Sequence, residues 1–154
     1  MNRLLCIVFL ALAVASCRKS TLIHTYYPLP QKSWSIRDTL TFHMPPITQD
    51  GYYEILAGLR LERHFPYDQV WLVIQQDFNS PMHQRRDTLC IQVADSAGNM
   101  QGLGLNMQQY ETPLASIYLH KGQEGKLRLY HIMRKEILPQ VCNAGIHIRQ
   151  EERN

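Results

Sequence analysis

Hydrophobic and polar positions alternate along several short segments of the chain, which is the period-2 pattern of strands with one buried face. In the clearest segment, residues 53–61, one face is apolar throughout and consists of Tyr53, Ile55, Ala57, Leu59 and Leu61. The same alternation predicts strands over residues 36–43, 53–61, 69–78, 86–94, 114–119, 125–133 and 144–150.

Turn-forming residues separate these segments, as in Asp50-Gly51, Asn79-Ser80-Pro81, Ser96-Ala97-Gly98-Asn99 and Gly122-Gln123-Glu124-Gly125. No long helical stripe occurs, although residues 133–141 could form one short helical turn before Pro139. The sequence therefore predicts an all-β fold. We expect a single antiparallel β-sandwich, jelly-roll or immunoglobulin-like, of about seven to eight strands over residues 34–154.

The N-terminal segment has a different pattern, in which Arg3 precedes an apolar run over residues 4–15. This order is typical of a secretory signal peptide. The run is shorter than the roughly 20 residues of a membrane-spanning helix, and Arg18 and Lys19 end it. Val14-Ala15-Ser16-Cys17 resembles the lipobox of bacterial lipoproteins, which implies a signal peptide over residues 1–16 and a lipidated Cys17, with acyl chains such as palmitate. Residues 17–33 are polar and contain Pro28 and Pro30, so we predict a short tether.

Composition and charge exclude several functional classes. The 154-residue chain is 45% hydrophobic and 19% charged, as expected of a folded domain. Removal of residues 1–16 would leave 15 Lys and Arg against 13 Asp and Glu, and no basic block occurs. The sequence therefore gives no reason to expect a nucleic-acid partner.

Two cysteines, Cys90 and Cys142, would remain in an oxidising compartment. Strand parity places Cys90 opposite the apolar face of its segment and Cys142 on the same face as Ala144 and Ile146. This difference favours two free thiols, and a disulfide between them is the alternative.

Candidate catalytic and metal-binding residues form no recognisable motif. The chain has no Gly-x-Ser-x-Gly sequence, and its seven histidines are scattered singly, so we predict no catalytic residue, no metal site and no cofactor apart from the lipid. Asp77, Asp87 and Asp95 lie near neighbouring strands, but nothing selects a catalytic pair among them. Asp95 is expected to cap its own turn, and calcium in a loop is the alternative.

Trp71 faces away from Val70 and Leu72. Either both faces of its strand are covered, which we favour, or Trp71 is exposed and functional.

The mature chain resembles the GldH family of gliding-motility lipoproteins. The resemblance begins at Cys17 and continues through Tyr26 and Trp34, Tyr52-Tyr53-Glu54-Ile55, Phe65-Pro66-Tyr67-Asp68 and Ile132-Met133-Arg134. Phe65 and Asp68 depart from the usual family pattern. The matching positions that we consider candidate structural or partner-contact residues are Arg60, Tyr67, Trp71, Asp95, Gly98, Gly102, Gly104, Met133, Arg134 and Gly145.

The resemblance implies a non-enzymatic accessory lipoprotein of gliding motility and the type IX secretion machinery, which contacts other envelope proteins. It provides no active site and no identified small-molecule ligand. Arg60, Trp71 and Arg134 are expected to form salt bridges and packing contacts, with partner docking by Arg60 or Arg134 as the alternative. A β-sandwich lipoprotein that binds carbohydrate or peptidoglycan through exposed Tyr and Trp is the alternative function.

The residues after Cys17 indicate the side of the membrane. Surface-exported lipoproteins of such bacteria carry acidic residues there, whereas this chain has Arg18, Lys19 and Ser20. We therefore expect an outer-membrane lipoprotein that faces the periplasm.

Overall fold

The computed structural model describes residues 21–79 and 81–151, so the predicted signal peptide and Cys17 lie outside the described residues. The described chain forms ten strands and one 3₁₀ turn, Pro30–Lys32. The strands are β1 (Thr21–Pro28), β2 (Ser33–Ser35), β3 (Leu40–Met44), β4 (Gly51–Glu62), β5 (Gln69–Asn79), β6 (His83–Gln92), β7 (Met107–Leu119), β8 (Glu124–His131), β9 (Ile137–Pro139) and β10 (Val141–Gln150).

Two four-stranded antiparallel sheets make up the sandwich. The front sheet has the order β1-β10-β4-β7, and the back sheet has the order β3-β8-β5-β6. A short ribbon of β2 and β9 lies at one end. The predicted all-β antiparallel sandwich is confirmed, with more strands than expected. Nowhere in the described ranges is there a helix long and apolar enough to span a bilayer.

The inward rows of the two sheets form one hydrophobic core. The apolar face predicted for residues 53–61 is confirmed, since all five of its side chains are buried. Trp34 is fully buried, and its Nε1 donates a hydrogen bond to the Asp38 carbonyl at 3.1 Å. A buried indole with its N–H satisfied fixes the β2 segment against the core.

The tether predicted for residues 17–33 is wrong from Thr21 onward. Residues Thr21–Pro28 form β1, which pairs with β10 from the Thr21–Arg149 pair to the Pro28–Asn143 pair. Only Ile23 of this strand is buried, because β1 is an edge strand with a poorly apolar inward row. The folded domain therefore begins well before residue 34.

Two other segments differ from the predictions. Residues 36–39 form a turn, in which the Asp38 N–H donates to the Ser35 carbonyl, and the strand begins only at Leu40. The helical turn predicted within residues 133–141 is wrong, since Ile137–Pro139 is a strand that pairs with Ser33–Ser35. Pairing between these two short strands satisfies backbone groups that a single turn would leave open.

Cys90 and Cys142 are free thiols, and they lie in different sheets. The inward orientation predicted for Cys142 is wrong. A register shift between Val141 and Asn143 makes Cys142 the extra residue of a β-bulge, so the parity argument fails at that position. Burial raises the pKa of both thiols.

Candidate functional site

The loop between β6 and β7 gathers several of the predicted motif residues. Asp95 Oδ1 accepts hydrogen bonds from the backbone N–H groups of Ala97 and Asn99 at 2.9 and 2.8 Å. Its Oδ2 accepts from the Asn99 side-chain amide at 3.1 Å, and these bonds from Asn99 lower the pKa of Asp95. Gly98 completes the turn with φ of +83°. Asp95 thus organises the first half of the loop, as the sequence predicts.

The second half of the loop is held by two further motif glycines. A Cβ at Gly102 would lie 2.6 Å from the Tyr110 ring, and Gly104 has φ of +122°. Leu103 and Gln109 exchange backbone hydrogen bonds of 2.9 and 2.8 Å. The Gln108 side chain donates to the Gly104 carbonyl. We call residues 95–107 the display loop. Hydrogen bonds therefore hold it from Asp95 to Gly104, and Met107 begins β7.

The display loop holds apolar side chains in solvent. Leu103 is 80% exposed and Leu105 is 85% exposed, although the backbone on both sides of them is hydrogen-bonded. Other exposed apolar side chains lie at the same end of the sandwich, where β5 begins and β8 ends. We call this set the apolar end, and its members are Ile36, Trp71, Leu103, Leu105, Met107, Ile132 and Ile137.

Trp71 belongs to the apolar end and is 40% exposed. The favoured prediction, that both faces of its strand are covered, is therefore wrong at this position. β5 does lie between β6 and β8 in the back sheet, but no described element covers Trp71 from outside. Its backbone N–H lies 3.3 Å from the Met133 sulfur, and Met133 packs against the core.

Two further motif residues in loops, Tyr67 and Arg134, differ in their contacts. Tyr67 packs edge-to-face on Phe65 with ring centroids 5.4 Å apart, a structural role. Arg134 is exposed and forms neither a hydrogen bond nor an ion pair with any residue in the described ranges. The salt bridge predicted for Arg134 is therefore absent from that part of the chain.

A second arrangement occupies the outer face of the front sheet. Gly58 of β4 and Gly145 of β10 are direct cross-strand neighbours, and the Tyr26 ring lies over both. A Cβ at Gly58 would lie 2.0 Å from the Tyr26 hydroxyl, and one at Gly145 would lie 2.6 Å from the ring. The Arg60 guanidinium covers the ring at 4.3 Å, and its Nε donates to Gln109 Oε1 at 3.1 Å. Arg60 thus forms a cation–π contact instead of the predicted salt bridge.

Tyr26 directs its hydroxyl at a carboxylate. It donates to Glu111 Oε1 at 3.1 Å, and burial together with the negative charge of Glu111 raises the pKa of the phenol. His24 Nε2 lies 3.2 Å from the same oxygen, and His147 Nδ1 lies 3.4 Å from Oε2. Burial would raise the pKa of Glu111, but the hydrogen bonds from Tyr26 and His147 and the nearby imidazoles lower it overall. This group of His24, Glu111 and His147 is called the His–Glu cluster.

The His–Glu cluster was not predicted, because the alternation in residues 21–28 is too weak to indicate a strand. In a strand, His24 and Tyr26 share one face, as do Gly145 and His147. Pairing of His24 with His147 and of Tyr26 with Gly145 then brings the two rows together. Two histidines at the same parity in adjacent strands were the signal that could have revealed it.

The three acids considered for catalysis do not converge. Asp77 is on the outer face of the back sheet and pairs with Arg128. Asp87 faces the other way and accepts hydrogen bonds from Gln76 and Arg85, at 2.9 and 2.8 Å. Asp95 is occupied by its turn, so these residues offer no pair with the geometry of a glycoside hydrolase.

Similarity to known proteins was found at the levels of family and structure. No curated protein sequence matches the chain. Among solved structures, Eiger TNF from S. frugiperda has a TM-score of 0.40 at 9% identity, covering 73% of this chain and 66% of its own. Dimeric latent PorU from Porphyromonas gingivalis has a TM-score of 0.36 at 11% identity, covering 88% of this chain and 14% of its own. The chain thus spans less than two thirds of either structure, and TM-scores below 0.5 do not indicate a common function.

The match to a family is more extensive. The model of the GldH lipoprotein family matches residues 21–148, which is more than half of the 154 residues and covers the strands of both sheets up to residue 148 in β10. Cys17 precedes the matched region, whereas the display loop and Tyr26 with its two glycines all lie within it. This chain belongs to the GldH lipoprotein family.

Proposed function

We propose that this protein is a non-enzymatic, lipid-anchored accessory component of the gliding-motility and type IX secretion machinery, acting through protein–protein contacts on the periplasmic face of the outer membrane. Membership of the GldH lipoprotein family supports the link to motility and a lipid anchor. The lipobox-like Val14-Ala15-Ser16-Cys17 supports anchoring through Cys17. Arg18 and Lys19 after the cysteine support the periplasmic side.

The observation that carries the proposal is the display loop. Exposing leucine side chains to water costs free energy, and a loop with no function beyond connecting two strands tends to be polar. Here Leu103 and Leu105 are exposed. The backbone of Leu103 is hydrogen-bonded to Gln109, and Gly102 and Gly104 shape the loop around it. A preorganised apolar surface loses little conformational entropy when a partner covers it.

The position of the anchor supports a protein partner for the apolar end. Four peptide units separate Cys17 from Thr21, and they span at most about 14 Å. Strand β1 begins beside Arg149, which pairs with Glu54, whereas Met107 at the foot of the display loop pairs with Glu62. Glu54 and Glu62 are eight positions apart on β4, or about 26 Å at ~3.3 Å per residue. The anchored end and the apolar end are therefore opposite ends of the sandwich.

Carbohydrate binding through exposed Tyr and Trp is less well supported by the part of the chain that the structure describes. The exposed Trp71 and Tyr118 belong to different sheets, β5 and β7. They do not form one stacking surface for a sugar.

The test is site-specific photocrosslinking in the native outer membrane. A benzophenone amino acid replaces Leu105 in the full-length lipoprotein, and in a second strain it replaces Met82, which is 82% exposed at the opposite end. We expect one discrete crosslinked envelope protein from position 105 and none from position 82. Leu103→Asp with Leu105→Asp should abolish co-purification of that protein in mild detergent, whereas Met82→Asp should not.

Three outcomes would contradict the proposal. The first is the absence of any crosslink from position 105 in a protein correctly anchored through Cys17. The second is the same crosslink from positions 82 and 105. The third is recovery of peptidoglycan fragments in place of a protein, which would establish the alternative function.

A further inference from the structure

The His–Glu cluster brings together three side chains from three strands of the front sheet. His24 Nε2, His147 Nδ1 and a carboxylate oxygen of Glu111 all lie within 4.8 Å of one another. We propose that these three groups bind one divalent first-row transition-metal ion with the coordination chemistry of zinc.

The donor set and spacing fit such an ion. Two imidazoles and one carboxylate form a common three-ligand zinc set, which leaves a fourth position for water. Bonds of about 2.0–2.1 Å in a tetrahedron place ligand atoms about 3.3–3.4 Å apart. His24 Nε2 lies 3.2 Å from Glu111 Oε1, and His147 Nδ1 lies 3.4 Å from the other carboxylate oxygen, Oε2. Binding one ion then requires one imidazole to turn out of the stacked arrangement, so that both nitrogens and one Glu111 oxygen point at the same position.

Outer-shell contacts already hold two of the three ligands. Metal-binding side chains are usually oriented by a second hydrogen bond. Glu111 accepts from the Tyr26 hydroxyl at 3.1 Å, and His147 directs its other nitrogen, Nε2, at Thr21 Oγ1, 3.5 Å away. Tyr26 is in turn fixed over Gly58 and Gly145. The glycine pair therefore contributes to this site, because the absence of side chains at both positions leaves room for the Tyr26 ring, whose hydroxyl positions the Glu111 carboxylate.

The cluster is accessible to an ion from solution. The His24 side chain is 44% exposed, whereas that of His147 is 12% exposed. The two rings are stacked with centroids 4.3 Å apart. Other histidines do not form such a group, because within residues 21–79 and 81–151 this is the one set of three such side chains within reach of a common ion.

Binding would connect the first strand of the domain to the far side of its sheet. His24 lies on β1, the edge strand that follows the lipid anchor, and Glu111 lies on β7 at the opposite edge. An ion held by both would oppose detachment of β1. Zinc should therefore raise the melting temperature, because a ligand that binds only the folded state stabilises it.

The test is a zinc titration of the full-length lipoprotein in detergent, purified through a tag without histidine. We expect saturable binding of one Zn²⁺, and Co²⁺ should give the visible absorption of a tetrahedral site. Glu111→Gln and His24→Asn should each weaken Zn²⁺ affinity at least about 100-fold. Tyr26→Phe should weaken it roughly 10–100-fold through the outer shell. His43→Asn, at an exposed histidine of β3, should have no effect.

The variants also distinguish a lost site from a lost fold, because circular dichroism and metal-free melting report folding separately. The proposal is overturned if the wild-type protein binds no Zn²⁺ at one-to-one stoichiometry. It is equally overturned if folded Glu111→Gln and His24→Asn variants bind Zn²⁺ as tightly as the wild type does. Equal weakening by His43→Asn would indicate nonspecific surface binding and would contradict it as well.

Discussion

The outer faces of the two sheets are built in different ways. On the front sheet, the paired Gly58 and Gly145 form a bare strip that the Tyr26 ring fills. On the back sheet, long side chains cover the strands, as in the Arg128–Asp77 ion pair and the cation–π contact of Arg86 with Tyr130 at 5.7 Å. Side chains lie over the strand backbones on both outer faces. On the front face, however, a single side chain, that of Tyr26, covers the two glycines.

This difference separates a specific site from an ordinary solvated face. Glycine weakens a strand, because it packs nothing and loses more backbone freedom on folding. Two glycines opposite each other in adjacent strands therefore cost stability unless something fills the space. Tyr26 fills it and delivers a hydrogen bond to Glu111. A cross-strand pair such as Arg128–Asp77 on the back sheet adds only a modest stabilisation, about 0.2–1 kcal/mol.

The largest expected effect is at Gly145. A Cβ there would lie 2.5 Å from the Thr25 carbonyl oxygen and 2.6 Å from the Tyr26 ring, so Gly145→Ala must displace backbone. We expect a loss of roughly 2–3 kcal/mol in the free energy of unfolding, measured by urea denaturation. Gly58→Ala should cost less, because the three atoms nearest its Cβ all belong to the outer part of the Tyr26 side chain and none is backbone.

A double-mutant cycle sharpens this prediction. With Tyr26→Ala in the background, Gly58→Ala should become nearly neutral, since the three atoms nearest its Cβ are all removed. Gly145→Ala should stay destabilising in that background, because the Thr25 carbonyl is still in the way. Equal rescue of both glycine variants would show that Tyr26 packing is not what distinguishes the two positions.

The next effect compares one tyrosine on each face. Tyr26→Phe leaves Glu111 without the hydrogen bond from the phenol, and we expect a loss of about 1–2 kcal/mol in unfolding free energy. Tyr130→Phe on the back sheet is the matched control, and it should change stability by less than about 0.5 kcal/mol. Thermal and urea denaturation of both variants measure the difference. A larger loss from Tyr130→Phe would reverse the comparison of the two faces.

Much of the fold could be predicted because alternation is a local property. The inward row of β4 was evident from residues 53–61 alone, and the structure buries all of it. Strand β1 was missed because an edge strand buries little. Among its residues only Ile23 is both apolar and buried, and Pro28 and Pro30 resemble those of a linker.

The sites could not be predicted because they depend on which residues pair between strands and on whether another element buries the outer face of a strand. The His–Glu cluster requires β1 to pair with β10 so that His24 meets His147, and it requires Glu111 to reach across β4. For Trp71, parity correctly predicted a different face from Leu72, but it could not show whether another element covers that face. Cys142 shows the remaining failure, since one bulge reverses every parity argument beyond it.

The third prediction concerns His131, which is fully buried, whereas His24 on the front face is exposed. His131 Nε2 lies 3.1 Å from the Trp34 carbonyl, and the Met133 N–H donates to its Nδ1 at 3.4 Å, so the neutral ring has both nitrogens satisfied. Burial lowers the pKa of His131, although the Trp34 carbonyl and Asp38 oppose the shift. Below about pH 6.5, His131 is therefore protonated in the unfolded chain but still neutral in the folded protein.

Stability should therefore fall as the pH drops below about 6.5 and level off below the folded pKa. The slope from one histidine cannot exceed about 1.4 kcal/mol per pH unit. In urea denaturation at pH 5 to 8, His131→Gln should show a shallower slope than the wild type. His43→Gln should keep the wild-type slope. If His131→Gln also kept it, the acid sensitivity would originate elsewhere.

The smallest effect compares one ion pair from each face. Arg149 and Glu54 are direct cross-strand partners on the front sheet, with Nε and Nη2 of the arginine 2.7 and 2.6 Å from the same carboxylate oxygen. Arg128 pairs diagonally with Asp77, because Gln75 is its direct partner in β5. Directly opposed pairs couple more strongly than diagonal ones. Double-mutant cycles should thus give about 1 kcal/mol for Arg149–Glu54 and about 0.5 kcal/mol for Arg128–Asp77. Both coupling energies should decrease in 1 M salt. A stronger coupling in the diagonal Arg128–Asp77 pair would contradict the comparison, because the back face would then also contain a specific contact.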